Sequence, residues 1–258
     1  MTLEACAALV ERGDPDRFLA AMAAPVGCRA RLFPIYAFNL EVARAPWVTQ
    51  EPMIAEMRLQ WWRDTVAEIG ADGPVRAHEV AAPLAGVVRA AGLPVAVMDR
   101  LIEARRRDIQ RLPFENEAAL VEYLEETGGG LMWLAAASLG AGPEAEPVAR
   151  GAGWAAGLAG FLRAVPELEA RGRVPLPDGR AGAVAGLARE GLARLERARA
   201  GRGAVPASAV PALRAGWQTE AVLRQVLREP ERVGEGRLGQ PEIARRGSLL
   251  WAAMTGRW

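Results

Sequence analysis

The chain has 258 residues, 52 of them alanine, and 32 basic residues stand against 31 acidic ones. Every basic residue is arginine, which excludes Schiff-base chemistry on lysine and a phosphate loop built around one. A hydrophobic share of 51% and a net charge of +1 exclude disorder and argue against a purely electrostatic nucleic-acid binder. The two cysteines, Cys6 and Cys28, cannot make a disulfide framework or a four-cysteine zinc site.

The first residues, Met1 to Arg17, lack the basic start and apolar run of a secretory signal. Asp14-Pro15 predicts a cap and first-turn pair for a helix from Asp16 to Ala24. Glu51-Pro52 opens another helix, on which Leu59, Trp62, Val66 and Ile69 recur along one face. Met98, Leu101, Ile102, Ile109 and Leu112 form the next stripe, with Arg105, Arg106, Arg107 and Asp108 as its charged face.

The longest uncharged run, Thr127 to Pro143, has 17 residues, is interrupted by Gly128, Gly129 and Gly130, and falls short of the ~20 apolar residues a membrane span needs. Breaks at 70–74, 92–94, 140–143, 172–182, 201–206 and 229–239 predict short helix-to-helix connections. Six Thr, six Ile and two Tyr leave no alternating run for a sheet, so the fold is predicted to be all-α, one domain over 1–258. Charge is nonetheless divided. Residues 1–170 hold 16 Arg against 23 acids, an acidic body of net −7, and residues 171–258 hold 16 Arg against 8 acids, net +8.

Tyr36-Ala37-Phe38-Asn39, Tyr123 to Gly130 and GLAGFLRAVPELEARGRVPLP at 157–177 resemble ordered blocks of the squalene/phytoene synthase family, over roughly Asp14 to Pro177. The resemblance implies an isoprenoid-synthase-type helical bundle around a central cavity. It also implies two aspartate-rich helices that clamp Mg²⁺ and a substrate diphosphate; magnesium favours a few carboxylates plus phosphate oxygens.

Aligned on those blocks, the first motif's acidic positions fall on Ala43, Arg44 and Trp47, and the second motif's aspartates on Ala164 and Leu168. Of the acidic set only Glu167 remains, beside Arg163, Arg171 and Arg173. Glu41 lies two residues before position 43, about 200° around the helix, and is badly placed to substitute. No catalytic or metal-binding residue is therefore assigned, and Mg²⁺ is expected only if the chain is a prenyltransferase after all.

Ala-Phe-Asn-Leu-Glu-Val-Ala (37–43), Glu-Pro (51–52) and Met-Arg-Leu-Gln-Trp-Trp-Arg-Asp (57–64) resemble the aspartate-poor branch that contains the mitochondrial respiratory complex I assembly factor. That resemblance implies a non-catalytic role in complex I assembly, with complex I subunits or another assembly factor as partners and an isoprenoid or lipid in the remnant pocket. The alternatives are a Mg²⁺-dependent head-to-head prenyltransferase and a lipid or isoprenoid carrier. A cytoplasmic protein is expected, with membrane contact at most peripheral and no nucleic-acid partner.

Among single residues, Arg163, Glu167, Arg171 and Arg173 are read either as an anion site at the pocket mouth or as helix capping. Tyr36, Asn39, Glu41, Arg58, Trp61 and Tyr123 are candidates for a pocket or a partner surface. Trp61 and Trp62 are expected to point about 100° apart, with Trp62 in the core. His78, the only histidine, is read as a surface residue or cap, and both cysteines as inert thiols. Gly151, Gly153 and Gly157 lie in a helical pattern with no preceding strand, which favours close helix packing over a phosphate loop.

Overall fold

Helix boundaries follow the breakers in the sequence. In the computed structural model, which describes residues 2–258, α1 (Leu3–Gly13) leads into α2 (Pro15–Met22). The Asp14 carboxylate accepts the Arg17 N–H at 2.9 Å, and Pro15 occupies the first turn, where no donor is needed. Helix α2 stops at Met22, two residues short of the expected end, because Pro25 follows closely and favours an extended residue before it.

The chain continues through α3 (Val26–Arg44), α4 (Pro52–Gly70), α5 (Ala81–Ala91), α6 (Val95–Gln110) and α7 (Glu117–Leu124). After these come α8 (Gly130–Ser138), α9 (Glu146–Ala170), α10 (Ala181–Ala200), α11 (Val210–Leu213), α12 (Thr219–Arg228) and α13 (Glu242–Thr255). No strand occurs among the described residues, and no helix among them is long and apolar enough to cross a membrane.

The predicted stripe on α4 is buried: Leu59, Trp62, Val66 and Ile69 all belong to one contiguous core that runs from Cys6 to Val233. Leu112 does not belong to it. Arg111 adopts a left-handed conformation (φ 59°) that ends α6, and leaves Leu112 62% exposed. The charged face of α6 is also divided. Arg106 and Arg107 pair with Glu56 and Glu115 at 3.2 and 2.8 Å, whereas Arg105 and Asp108 turn inward against Tyr123. A polar pair facing an internal cleft has the same spacing in sequence as one facing solvent.

Between α7 and α8 the helix loosens into a π-turn, Glu125–Gly129. Helix α9 presses against this turn closely enough for main chain to meet main chain. A Cβ added at Gly153 would lie 2.5 Å from the Gly128 carbonyl oxygen, and one at Gly128 would lie 2.6 Å from the Gly153 oxygen. The glycines of 151–157 therefore serve helix packing.

Asp16 joins three helices. Its carboxylate accepts from Arg163 on α9 at 2.9 Å and from Arg245 on α13, and Trp217 Nε1 donates to the Arg245 carbonyl at 3.2 Å. Burial alone would raise the Asp16 pKa, but Arg163 and Arg245 outweigh it and hold the carboxyl below its ordinary value. A depressed folded-state pKa contributes stability that is full above the ordinary aspartate range and is lost as the pH falls through the folded value. Asp16→Asn is thus expected to lower unfolding free energy by about 1–2 kcal/mol near neutral pH. The gap to wild type should close in acid; a gap that persists unchanged there, in urea titrations across pH, would refute the ion-pair account.

Candidate functional site

A cleft of about 680 Å³ opens between α3, α6, α7 with its π-turn, and α9. Asn39, Ala43 and Trp47 follow one another at four-residue spacing along and just beyond α3, so one helix face supplies that wall. Gly157, Gly160, Ala164 and Leu168 do the same on α9. Ala43, Arg44, Trp47, Ala164 and Leu168, the positions aligned with the family's acidic motifs, all line this one cleft.

At its mouth Trp47 carries two guanidinium groups. Arg171 lies 5.2 Å and Arg173 4.6 Å from the indole centroid, within cation–π range. Arg171 also donates to Glu167 at 2.6 Å, and Arg173 to the Asp108 carbonyl oxygen at 2.7 Å. Arg163 does not join them: it lines no part of the cleft and points to Asp16. Of the four residues proposed for an anion site, Glu167, Arg171 and Arg173 converge on this mouth, and Arg44 also lines the cleft.

Deeper in the cleft, Asp108 Oδ2 accepts from Tyr123 Oη at 3.0 Å and from Arg105 at 3.4 Å. Arg105 also donates to the Tyr123 hydroxyl, and its guanidinium stands 5.3 Å from that ring. Burial pushes the Asp108 carboxyl above its ordinary value, against the pull of Arg105 and Tyr123. Burial likewise raises the Tyr123 hydroxyl, so it remains a proton donor throughout the physiological range. The sequence reading included Tyr123 but missed Arg105 and Asp108. Their i, i+3 spacing was the available signal, since the Asp108 side chain shares a helix face with Arg105.

Three buried polar atoms around the cleft lack a hydrogen-bond partner among the described residues: Asn39 Oδ1, Tyr36 Oη and Arg105 Nε. Such atoms are uncommon in folded proteins, where water or a ligand usually satisfies them. Tyr36 is almost fully buried against Gly128, Leu131 and Met132, and Arg17 stands 5.9 Å from its ring centroid.

The remaining candidates belong to a second groove, of about 380 Å³, lined by Glu41, Arg58, Trp61, Trp62 and His78 with Ile54 and Met57. Glu41 thus opens onto this groove, away from Ala43 and Trp47, although its carboxylate pairs with Arg44 at 3.7 Å. Trp61 and Trp62 are not separated as expected. Their rings meet edge to face with centroids 4.9 Å apart, and His78 sits 5.1 and 5.2 Å from the two. Side-chain torsions bring together what the Cα directions alone keep apart. His78, half-buried, accepts the Val80 N–H on Nδ1 at 3.2 Å within the turn before α5, a helix that has no side-chain cap. Cys6 is fully buried and its thiol is pushed up to about 11 by that burial, so it is no nucleophile.

The carboxylates of the main cleft do not suit a magnesium–diphosphate cluster. Asp108 is committed to Tyr123 and Arg105, Glu167 to Arg171, and no group of three or more His, Cys, Asp or Glu side chains among the described residues is placed to hold a metal ion.

Comparison with known proteins agrees with this architecture. A dehydrosqualene synthase crystal structure superposes with a TM-score of 0.82 at 16% identity, covering 98% of this chain and 95% of that one. The NADH dehydrogenase (ubiquinone) complex I assembly factor 6 of Bos taurus is 31% identical over 173 residues, and that of Homo sapiens 30%. Each alignment takes in 67% of this chain and 52% of the relative, so the chain matches about half the length of these proteins. The family model for squalene/phytoene synthase matches residues 10–194, further at both ends than the resembling blocks, and by that match the chain belongs to the squalene/phytoene synthase family.

Proposed function

We propose that this chain is a non-catalytic member of its family that acts in the assembly of respiratory complex I, with complex I subunits or another assembly factor as partners. Its cleft would receive an isoprenoid or other lipid with an anionic head, held directly by guanidinium groups. The observation that carries this reading is the set of residues at the motif positions. Helix α3 with the turn after it presents Ala43, Arg44 and Trp47 on one side, and α9 presents Ala164 and Leu168 on the other, where metal-dependent ionisation of a diphosphate needs carboxylates.

The assembly role rests on likeness to the curated assembly factors. Arg171 and Arg173 on Trp47, with Arg44 nearby, support an anion at the mouth, and the unpartnered Asn39 Oδ1 supports a polar group deeper in. Arg58, Trp61 and Glu41 offer a groove for a protein partner. A cytoplasmic location, with membrane contact confined to the periphery, completes the reading.

Two measurements test it. Purified protein given farnesyl or geranylgeranyl diphosphate and Mg²⁺ is expected to release no diphosphate, and loss of the gene is expected to reduce assembled complex I. Metal-dependent formation of a head-to-head hydrocarbon would overturn the first half, and unchanged complex I levels the second. Placing aspartate at Ala43, Trp47, Ala164 and Leu168 together is expected not to create turnover. The substitution removes the platform of Arg171 and Arg173 but leaves Arg44 and the committed Asp108 in place. Turnover in that variant would show that the rest of the catalytic machinery had survived.

A further inference from the structure

Helix α13 is attached to the body by a narrow face. Leu249 and Ala252 are its buried side chains, and both lie outside the contiguous core. The Asp16–Arg245 pair and the Trp217 hydrogen bond supply the rest of the attachment. On the other side Ile243, Leu250, Trp251 and Met254 are exposed, Ile243 by 90% and Trp251 by 57%. At 100° per residue these four, with Gly247 among them, occupy an arc of about 100°. Trp251 is the one tryptophan among the exposed large apolar side chains of the described residues.

Basic groups border this stripe. Arg246 stands at its edge with its side chain 69% exposed, although Glu242 takes up part of its charge, and exposed Arg257 follows the helix. We propose that α13 docks on an anionic lipid surface. Its axis lies in the plane of the surface, the apolar stripe enters the acyl boundary, and the bordering arginines meet the headgroup phosphates.

Shape and charge favour lipid over protein. The stripe is a convex ridge, and none of the larger cavities is lined by α13, so a partner helix finds no groove there. A second copy docked on this face would bring the same arginine border against itself, with like charges opposed. A flat anionic surface suits both the ridge and its border. Fourteen residues span about 21 Å, too short to cross a bilayer but long enough to lie in one.

This inference deepens the peripheral-membrane part of the proposed function and is independent of the assembly role, since vesicle binding and complex I abundance are read separately. The test is co-sedimentation of the full chain with phosphatidylcholine vesicles, with and without phosphatidylglycerol. Wild type is expected to pellet with the anionic vesicles and to be released by salt. The variant I243S/L250S/M254S is expected to bind at least about tenfold more weakly, with an unchanged melting temperature because the three side chains are exposed. R246Q/R257Q should weaken binding to the anionic vesicles alone. Absence of wild-type pelleting, equal pelleting of the serine variant, or a wild-type dimer that the serine variant splits into monomers would each overturn the proposal.

Discussion

Gly153→Val is expected to destabilise the protein by about 3 kcal/mol or more, read as a lower urea midpoint with an unchanged slope. The new Cβ would stand 2.5 Å from the Gly128 carbonyl oxygen, 2.7 Å from Met132 Cβ and 3.0 Å from Gly129 Cα. Two of those three atoms are main chain and cannot rotate away, so α9 must separate from the π-turn. Separation would also open the packing around Trp154, which is fully buried one residue on and donates to the Val121 carbonyl at 3.0 Å. Gly186→Ala, inside α10 with nothing within 4 Å of the added Cβ, should do the reverse and stabilise by about 0.5–1 kcal/mol. The opposite signs separate a steric effect from helix propensity. If both variants were stabilised, the backbone contact would not be what holds α9 in place.

Asp108→Ala is expected to cost about 3 kcal/mol, roughly 6–12 °C in melting temperature. The side chains of Arg105 and Asp108 are 19% and 18% exposed, and without the carboxylate the Arg105 charge has only the Tyr123 hydroxyl and ring for company. Breaking one partner of a mostly buried pair leaves an uncompensated charge, which costs more than the pair itself contributes. The double variant Arg105→Leu/Asp108→Leu removes both charges and should recover much of the loss. If the double variant proves as unstable as the two single losses added together, the residues do not act as a pair.

Much of the fold was legible in the sequence because its helices end at chemistry that shows locally. Asp14-Pro15 and Glu51-Pro52 mark starts, Gly92 ends α5 in a left-handed conformation (φ 59°), and the breaks predicted between helices are where turns occur. The cleft was legible through resemblance alone. Ala43, Trp47, Ala164 and Leu168 are ordinary apolar residues whose meaning comes from what the family places there, and the structure brings them to one cleft.

What stayed illegible depends on direction in space. Hydropathy reads Arg105 and Asp108 as a solvated face because an internal polar cleft and the outside solvent favour the same residue types. Arg163 shares a helix with Ala164, yet the 100° step between neighbours carries its guanidinium to Asp16 and out of the cleft. For Trp61 and Trp62, Cα geometry predicted divergence, but large rings reach far enough to meet.

The contact between α9 and the π-turn has a consequence for what the cleft can admit. Gly128 and Gly157, which line it, sit where two stretches of main chain already touch: a Cβ on Gly157 would be 3.2 Å from Gly128 Cα. That wall has no rotamers to exchange and no slack to give up, so it acts as a fixed stop. Adjustment to any guest, and any discrimination between guests, falls to the side chains around that stop: Trp47 across the cleft, and Phe161 and Leu168 farther along α9. Lineages sharing this scaffold could retune the guest by exchanging those three side chains while the glycine contact stays untouched.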